Sequence, residues 1–216
     1  MKLSTRELAS LAVFGTLWGI SEITLGSVLK SLNIPFSGAV LSAIGLTIAM
    51  VGRVFVPKKG STIFIGVIAM LLKLFSLGGV IIGPMVGIFS EALVAEILLS
   101  LAGRPRLFSF LLAGALGVIW TLLQPYVTGP LLFGRSLFVV WLDMLDVGTR
   151  LLGFKEGSVL WIVVALLVIY LFIGIIAGWL AWNIARQLQN RLGKPQAQDK
   201  NPEGSGNIIS EEDKEK

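Results

Sequence analysis

Four ionisable side chains lie inside long apolar stretches of this chain: Glu22, Lys73, Glu91 and Glu96. A charge at membrane depth costs several kcal/mol unless it is paired or solvated. Ionisable residues in such positions therefore commonly line a path or a pocket for a substrate or an ion. These four residues are the first candidates for a functional site.

Two aromatic residues accompany these polar groups at helical spacing. Trp18 lies one turn before Glu22, and Trp120 lies one turn before Gln124, so each pair shares a helix face. An aromatic ring beside a carboxylate suits a cationic or flat heteroaromatic ligand, through cation-π or stacking contacts. The pattern predicts a small-molecule site formed by Glu22, Lys73, Glu91, Trp18, Trp120 and Gln124.

The residues that are missing exclude several kinds of chemistry. The chain has no cysteine and no histidine, which removes disulfides, thiolate metal sites and histidine-dependent hydrolysis. The sequence also has no Walker A loop and no H-E-x-x-H motif. We therefore expect no enzyme activity, no catalytic residue, no metal and no cofactor.

The composition indicates what must position the candidate residues. Hydrophobic residues make up 55% of the chain and charged residues 14%, with a mean hydropathy of +0.84. The apolar runs are close to the roughly 20 residues with which a helix crosses a bilayer, and they do not alternate as β-barrel strands do. The predicted fold is an all-α membrane protein, a bundle of six transmembrane helices in residues 1–186, followed by a disordered cytoplasmic tail in 187–216. The six runs are 8–29, 38–56, 61–82, 84–102, 107–128 and 158–184.

Basic residues predict the orientation of this bundle. They concentrate at the N-terminus, in alternate loops and after the sixth run, and the positive-inside rule therefore places both termini in the cytoplasm. On the opposite side, the basic residues of the 129–157 loop are matched by acidic ones. The basic character follows from topology, so we expect no nucleic-acid partner. The cytoplasmic set is Lys2, Arg6, Arg53, Lys58, Lys59, Arg104, Arg106, Arg186, Arg191 and Lys194.

With this orientation, five of the candidates share the outer half of the membrane: Glu22, Lys73, Glu91, Trp120 and Gln124. They predict a pocket that opens outward beneath the 30–37 segment and the 129–157 loop. Glu96 is about 140° around the helix from Glu91, and we expect it to face a neighbouring helix.

A purely structural role is the alternative for these residues. Lys73 could form a buried ion pair with Glu22 or with Glu91, and Gln124 could bond to a backbone carbonyl.

The architecture resembles the substrate-binding S components of energy-coupling factor (ECF) vitamin transporters. The likeness includes the small-residue face of the first helix, the following polar segment KSLNIPFS, and the stretch from Pro57 to Gly117. That stretch contains the basic turn PKKG, a Gly/Pro-rich outer turn from Gly78 to Pro84, and the segment GIFSEALVAE. It is most similar to the S components for thiamine or its pyrimidine precursor.

This resemblance implies capture of a vitamin at the outer face of a prokaryotic plasma membrane. Transport would then require a coupling transmembrane subunit, which docks on the first helix at Ala9, Ala12 and Thr16, and ATPase subunits that drive it. The chain departs here from the family's Ala-x-x-x-Ala pattern, because Ala9 and Ala12 are three residues apart. Two other classes stay open: a stand-alone ion- or proton-coupled carrier, and an intramembrane enzyme or assembly factor.

Overall fold

The computed structural model describes residues 3–76, 82–103, 105–153 and 159–192. Of these residues 89% are helical and none belongs to a β-strand. The prediction of an all-α fold is confirmed. The helices are α1 (Thr5–Ser31), α2 (Ser37–Phe55), α3 (Ser61–Leu72), α4 (Ile82–Ala102), α5 (Leu107–Phe133), α6 (Leu137–Leu152) and α7 (Val159–Leu192), with a 3-10 turn at Lys73–Phe75.

Within the described residues, five helices are long and apolar enough to cross a membrane: α1, α2, α4, α5 and α7. These helices fit a multi-pass membrane protein. The apolar run at 61–82 gives a shorter element, α3 and its 3-10 turn, which span Ser61–Phe75. At standard rises per residue this element is about 24 Å long, less than the ~30 Å of a typical hydrocarbon core.

The 129–157 segment is largely helical, and its prediction as a loop was wrong. α5 continues to Phe133, α6 occupies Leu137–Leu152, and residues 154–157 lie outside the described residues. Asp143, Asp146 and Arg150 are spaced three and four apart, so they occupy one face of α6. Their charges mark the polar face of an amphipathic helix, which resembles a polar loop when only composition is considered.

Two other predictions fall partly beyond the described residues. Residues 187–192, assigned to the tail, continue α7, whereas 193–216 lie outside the described part of the chain. Of the outer turn predicted at Gly78 to Pro84, residues 78–81 also lie outside it, and Gly83 and Pro84 belong to the first turn of α4.

Glycines bring the backbones of α5 and α7 into direct contact. A Cβ added to Gly114 would lie 2.3 Å from the Gly174 carbonyl oxygen, and one on Gly178 would lie 2.3 Å from the Phe110 carbonyl oxygen. On α1, a Cβ on Gly15 would lie 2.6 Å from the Cβ of Ile68 in α3. These glycines therefore pack within the bundle and hold α5 against α7 and α1 against α3.

Candidate functional site

A cavity of about 330 Å³ lies among α1, α2, α4, α5 and the 3-10 turn after α3. We call it the polar cavity. Four of the six residues that the sequence predicts for the site line it together: Glu22, Lys73, Glu91 and Gln124. Its other polar side chains are Ser42 and Thr121. The four predicted residues come from four different chain segments, and the structure brings them to one cavity.

Glu22 and Lys73 form an ion pair on one wall of the polar cavity. The Lys73 Nζ lies 3.2 Å from the Glu22 Oε2 and 3.1 Å from the Glu22 backbone oxygen, and both side chains are 9% exposed. The 3-10 turn directs the lysine back toward α1. One of the two ion pairs considered from the sequence is therefore present, and the Lys73 charge is already neutralised within the protein.

Glu91 lies in the same cavity and has no basic partner among the described residues. It is 5% exposed, and its Oε1 accepts a hydrogen bond of 3.1 Å from the Thr121 hydroxyl. Its Oε2 forms no full hydrogen bond within the described parts of the chain, and the Ser42 hydroxyl is the protein donor near enough to interact with the carboxylate. A buried carboxylate oxygen is costly to leave unpaired, so Oε2 is available to a donor that enters the cavity.

The helix α5 brings Thr121 to Glu91, one turn before a proline. Pro125 lies inside α5 and has no N–H, so the Thr121 carbonyl lacks its usual donor four residues on. Thr121 thus contributes a hydroxyl to Glu91 and a backbone carbonyl freed from the helical ladder.

Gln124 connects α5 to α4 at the edge of the cavity. Its Nε2 donates a hydrogen bond of 2.9 Å to the Gly83 carbonyl, which is the backbone contact considered as the alternative role for this residue. Gly87 makes room for the amide, since a Cβ there would lie 2.7 Å from the Gln124 Oε1. Gln124 therefore positions the cavity wall as well as lining it.

The two tryptophans predicted for the site do not line the polar cavity. Trp18 is fully buried in the core formed by α1, α2, α3 and α4, where a Cβ on Gly45 would lie only 1.8 Å from its Nε1. Trp120 donates a hydrogen bond of 2.6 Å from its Nε1 to the Ser90 hydroxyl. Each tryptophan lies one turn before Glu22 or Gln124, but its side chain contacts protein and does not reach the cavity.

Two of the polar side chains that line the cavity were not predicted, Ser42 and Thr121. Thr121 lies three residues before Gln124, a spacing that places both on one face of α5. That spacing, together with the proline at 125, is the signal that would have identified it. Ser42 has no comparable signal, because α2 carries no charged residue near this depth.

Glu96 belongs to a separate network at the opposite end of α3. Its Oε1 accepts a hydrogen bond of 2.7 Å from the Gly60 N–H, and its Oε2 accepts one of 2.9 Å from the Thr62 N–H. The Arg53 Nη2 lies 3.5 Å from Oε1. The carboxylate thus caps the N-terminus of α3, where negative charge is favourable. Its predicted orientation toward a neighbouring helix is confirmed.

Replacing Glu96 by Gln is expected to destabilise the fold by about 1.5 to 3 kcal/mol, because the amide cannot accept from both N–H groups and loses its charge. Ligand binding by the folded fraction should be unchanged, since Glu96 is not among the residues that line the polar cavity. Thermal unfolding in lipid nanodiscs and equilibrium binding would measure the two effects. Loss of binding without loss of stability would contradict this assignment.

The residues predicted to dock a partner lie on an exposed face of α1. Ala9, Ala12 and Thr16 are all exposed, whereas Gly15 and Gly19 of the same helix are buried and turn toward α3. Small exposed side chains permit close approach of another helix. This surface is therefore free to form a helix contact in the isolated chain.

Comparison of the chain with known proteins gives no family assignment: no family model, no curated protein and no solved structure matches it. Function is therefore inferred from the polar cavity and from the helices that form it.

Proposed function

We propose that this protein is a membrane-embedded substrate-binding subunit for uptake of a small cationic vitamin or vitamin precursor, such as one related to thiamine. It binds and releases its substrate without chemical conversion, so it is not an enzyme. The observation that carries the proposal is the Glu91 carboxylate, which faces the polar cavity without a basic partner in the described chain.

The charges around the cavity favour a cation. Glu22 and Lys73 neutralise each other, which leaves Glu91 as the one carboxylate without a counter-charge among the described lining residues. Burial of an uncompensated charge is strongly unfavourable, and an arriving cation would relieve that cost. The Oε2 of Glu91 can then accept a hydrogen bond from the ligand. An anionic ligand would meet repulsion at the same position.

The proposed topology has six spans, α1 to α5 and α7, with both termini in the cytoplasm. In this arrangement α3 and its 3-10 turn form a short span, and α6 lies at the outer surface. The Glu96 network then lies at the cytoplasmic end, beside the basic residues Arg53 and Lys58, and the polar cavity lies in the outer half. A ligand from outside a prokaryotic cell would reach Glu91 without crossing the whole bilayer.

Transport in this proposal depends on separate proteins, namely an ECF-type coupling transmembrane subunit and its ATPases. The exposed face at Ala9, Ala12 and Thr16 supports docking, because it offers small side chains to a helix of the coupling subunit. Gly15 and Gly19 of α1 pack against α3 and are not available for this contact.

A stand-alone ion- or proton-coupled carrier is the second candidate function. The same buried carboxylate favours it, because acidic groups in membrane helices also serve as proton or ion sites. The two candidates differ in what the isolated chain does: a binding subunit holds the substrate, whereas a carrier moves it across the bilayer.

Purification into nanodiscs followed by mass spectrometry tests the proposal. We expect a small organic cation to co-purify with the wild-type chain and to be released on denaturation. We expect proteoliposomes that contain only this chain to show no uptake of that compound. Robust uptake by these proteoliposomes would overturn the proposal in favour of the carrier.

A further inference from the structure

A second cavity of about 360 Å³ lies between α5, α6 and α7. We call it the apolar cavity. Apolar residues form most of its walls. One wall is supplied by α6, a helix that the sequence did not predict. The apolar lining includes Leu122, Pro125, Phe133, Val140, Met144 and Leu166.

Most of the polar groups that line this cavity have an ion-pair or hydrogen-bond partner. Arg135 and Asp143 form an ion pair of 2.6 Å, with side chains 46% and 54% exposed, so their charges cancel at an exposed edge. The Tyr126 hydroxyl donates to the Met144 sulfur at 3.2 Å, and the Thr128 hydroxyl is bonded to a backbone carbonyl. The cavity can therefore accept an uncharged apolar group without leaving a buried charge unpaired.

One residue belongs to the walls of both cavities, Thr121 of α5. Its hydroxyl donates to the Glu91 Oε1 of the polar cavity. Pro125, one turn later, lines the apolar cavity and frees the Thr121 carbonyl from its helical bond. Thr121 thus contacts the Glu91 carboxylate on the side of the polar cavity and borders the apolar cavity on its other side.

We propose that the two cavities are two compartments of one binding site. The ligand is then an amphiphilic cation whose charged head binds at Glu91 and whose apolar body passes Thr121 into the apolar cavity. The head position rests on the proposed function, whereas the body position rests on the apolar cavity and on the wall that the cavities share. The inference extends the substrate class from small cations to cations with a sizeable apolar portion.

A homologous series of n-alkylammonium ions, from methylammonium to hexylammonium, tests this inference with full-length protein in nanodiscs. Binding is followed by NMR line broadening of the probe, and empty nanodiscs provide the partition baseline. The test variant is Val147→Trp, which adds bulk at a residue that lines the apolar cavity and is 41% exposed. The matched control is Val139→Trp, on the same helix, 39% exposed and not among the lining residues.

For the wild type we expect affinity to rise about fourfold for each added methylene, until the apolar cavity is filled. Val139→Trp should behave like the wild type. Val147→Trp should bind methylammonium normally but lose the gain with chain length, because the indole occupies the space of the alkyl chain.

The outcomes separate this inference from the proposed function. If methylammonium does not bind, or binds equally to Glu91→Gln, the cation site itself is refuted. If methylammonium binds and the binding depends on Glu91, but affinity does not rise with alkyl chain length, the two-compartment inference is refuted and the cation site stands. A rise that persists in Val147→Trp equally refutes it, and would assign the gain to the bilayer or to a lipid-filled groove.

Discussion

Replacing Glu91 by Gln is expected to weaken binding of the co-purified cation by about 10- to 100-fold. The carboxylate provides a charge-assisted hydrogen bond worth on the order of 1.5 to 3 kcal/mol, and each 1.4 kcal/mol corresponds to a factor of ten in affinity. Thermal stability should change little, because Glu91 has no ion-pair partner among the described residues. Isothermal titration and thermal unfolding of the same nanodisc samples would measure both quantities.

The matched control is Glu96→Gln, the same substitution five residues later on α4. It should show the opposite pattern, a clear loss of stability with normal binding, because its carboxylate caps α3 and does not line the polar cavity. Normal binding by Glu91→Gln together with a large loss of stability would show that Glu91 has a structural role. The carboxylate would then not be the ligand contact, and the proposed function would lose its main support.

Replacing Ala12 by Trp is expected to reduce substrate uptake by cells to the background level. A large ring on the small-residue face of α1 blocks close approach of a coupling subunit. Binding by the purified chain should be unchanged, because Ala12 is exposed on α1 and is not among the residues that line either cavity. Uptake of radiolabelled ligand by cells and binding by purified protein would measure the two effects.

Val28→Trp provides the matched control for this surface. Val28 is also an exposed residue of α1, 50% accessible, but it lies near the other end of the helix. Normal uptake by Val28→Trp and no uptake by Ala12→Trp would locate the contact at Ala9, Ala12 and Thr16. If Ala12→Trp retains full uptake, this surface does not dock a partner.

The sequence predicted the candidate site through two properties of its residues, their polarity and their expected depth in the membrane. Glu22, Lys73, Glu91 and Gln124 were recognised because each is a polar residue within an apolar helix, and the structure brings them to one cavity. The division of roles among them was not predictable. Either Glu22 or Glu91 could have paired with Lys73, and the choice depends on the 3-10 turn that follows α3 and directs Lys73 toward α1.

The prediction was least complete where a side chain's role depends on rotation about its helix. Trp18 and Trp120 have the correct depth and spacing, yet one packs over Gly45 and the other bonds to Ser90. The same limitation applies to Thr121: its spacing to Gln124 indicates a shared face of α5, but its bond to Glu91 depends on how α4 packs against α5. Depth follows from counting residues along a span, whereas orientation follows from packing between helices.

By itself, the sequence determined the helical class and the four buried ionisable residues Glu22, Lys73, Glu91 and Glu96, because these depend on local composition and on long apolar runs. Only the tertiary structure decided that Glu22 pairs with Lys73 and that Glu91 is left without a counter-charge among the described residues. It also decided that α6 encloses a second cavity beside Thr121. These features depend on contacts between residues far apart in the chain, and interhelical packing at glycines such as Gly45 and Gly114 fixes which faces meet.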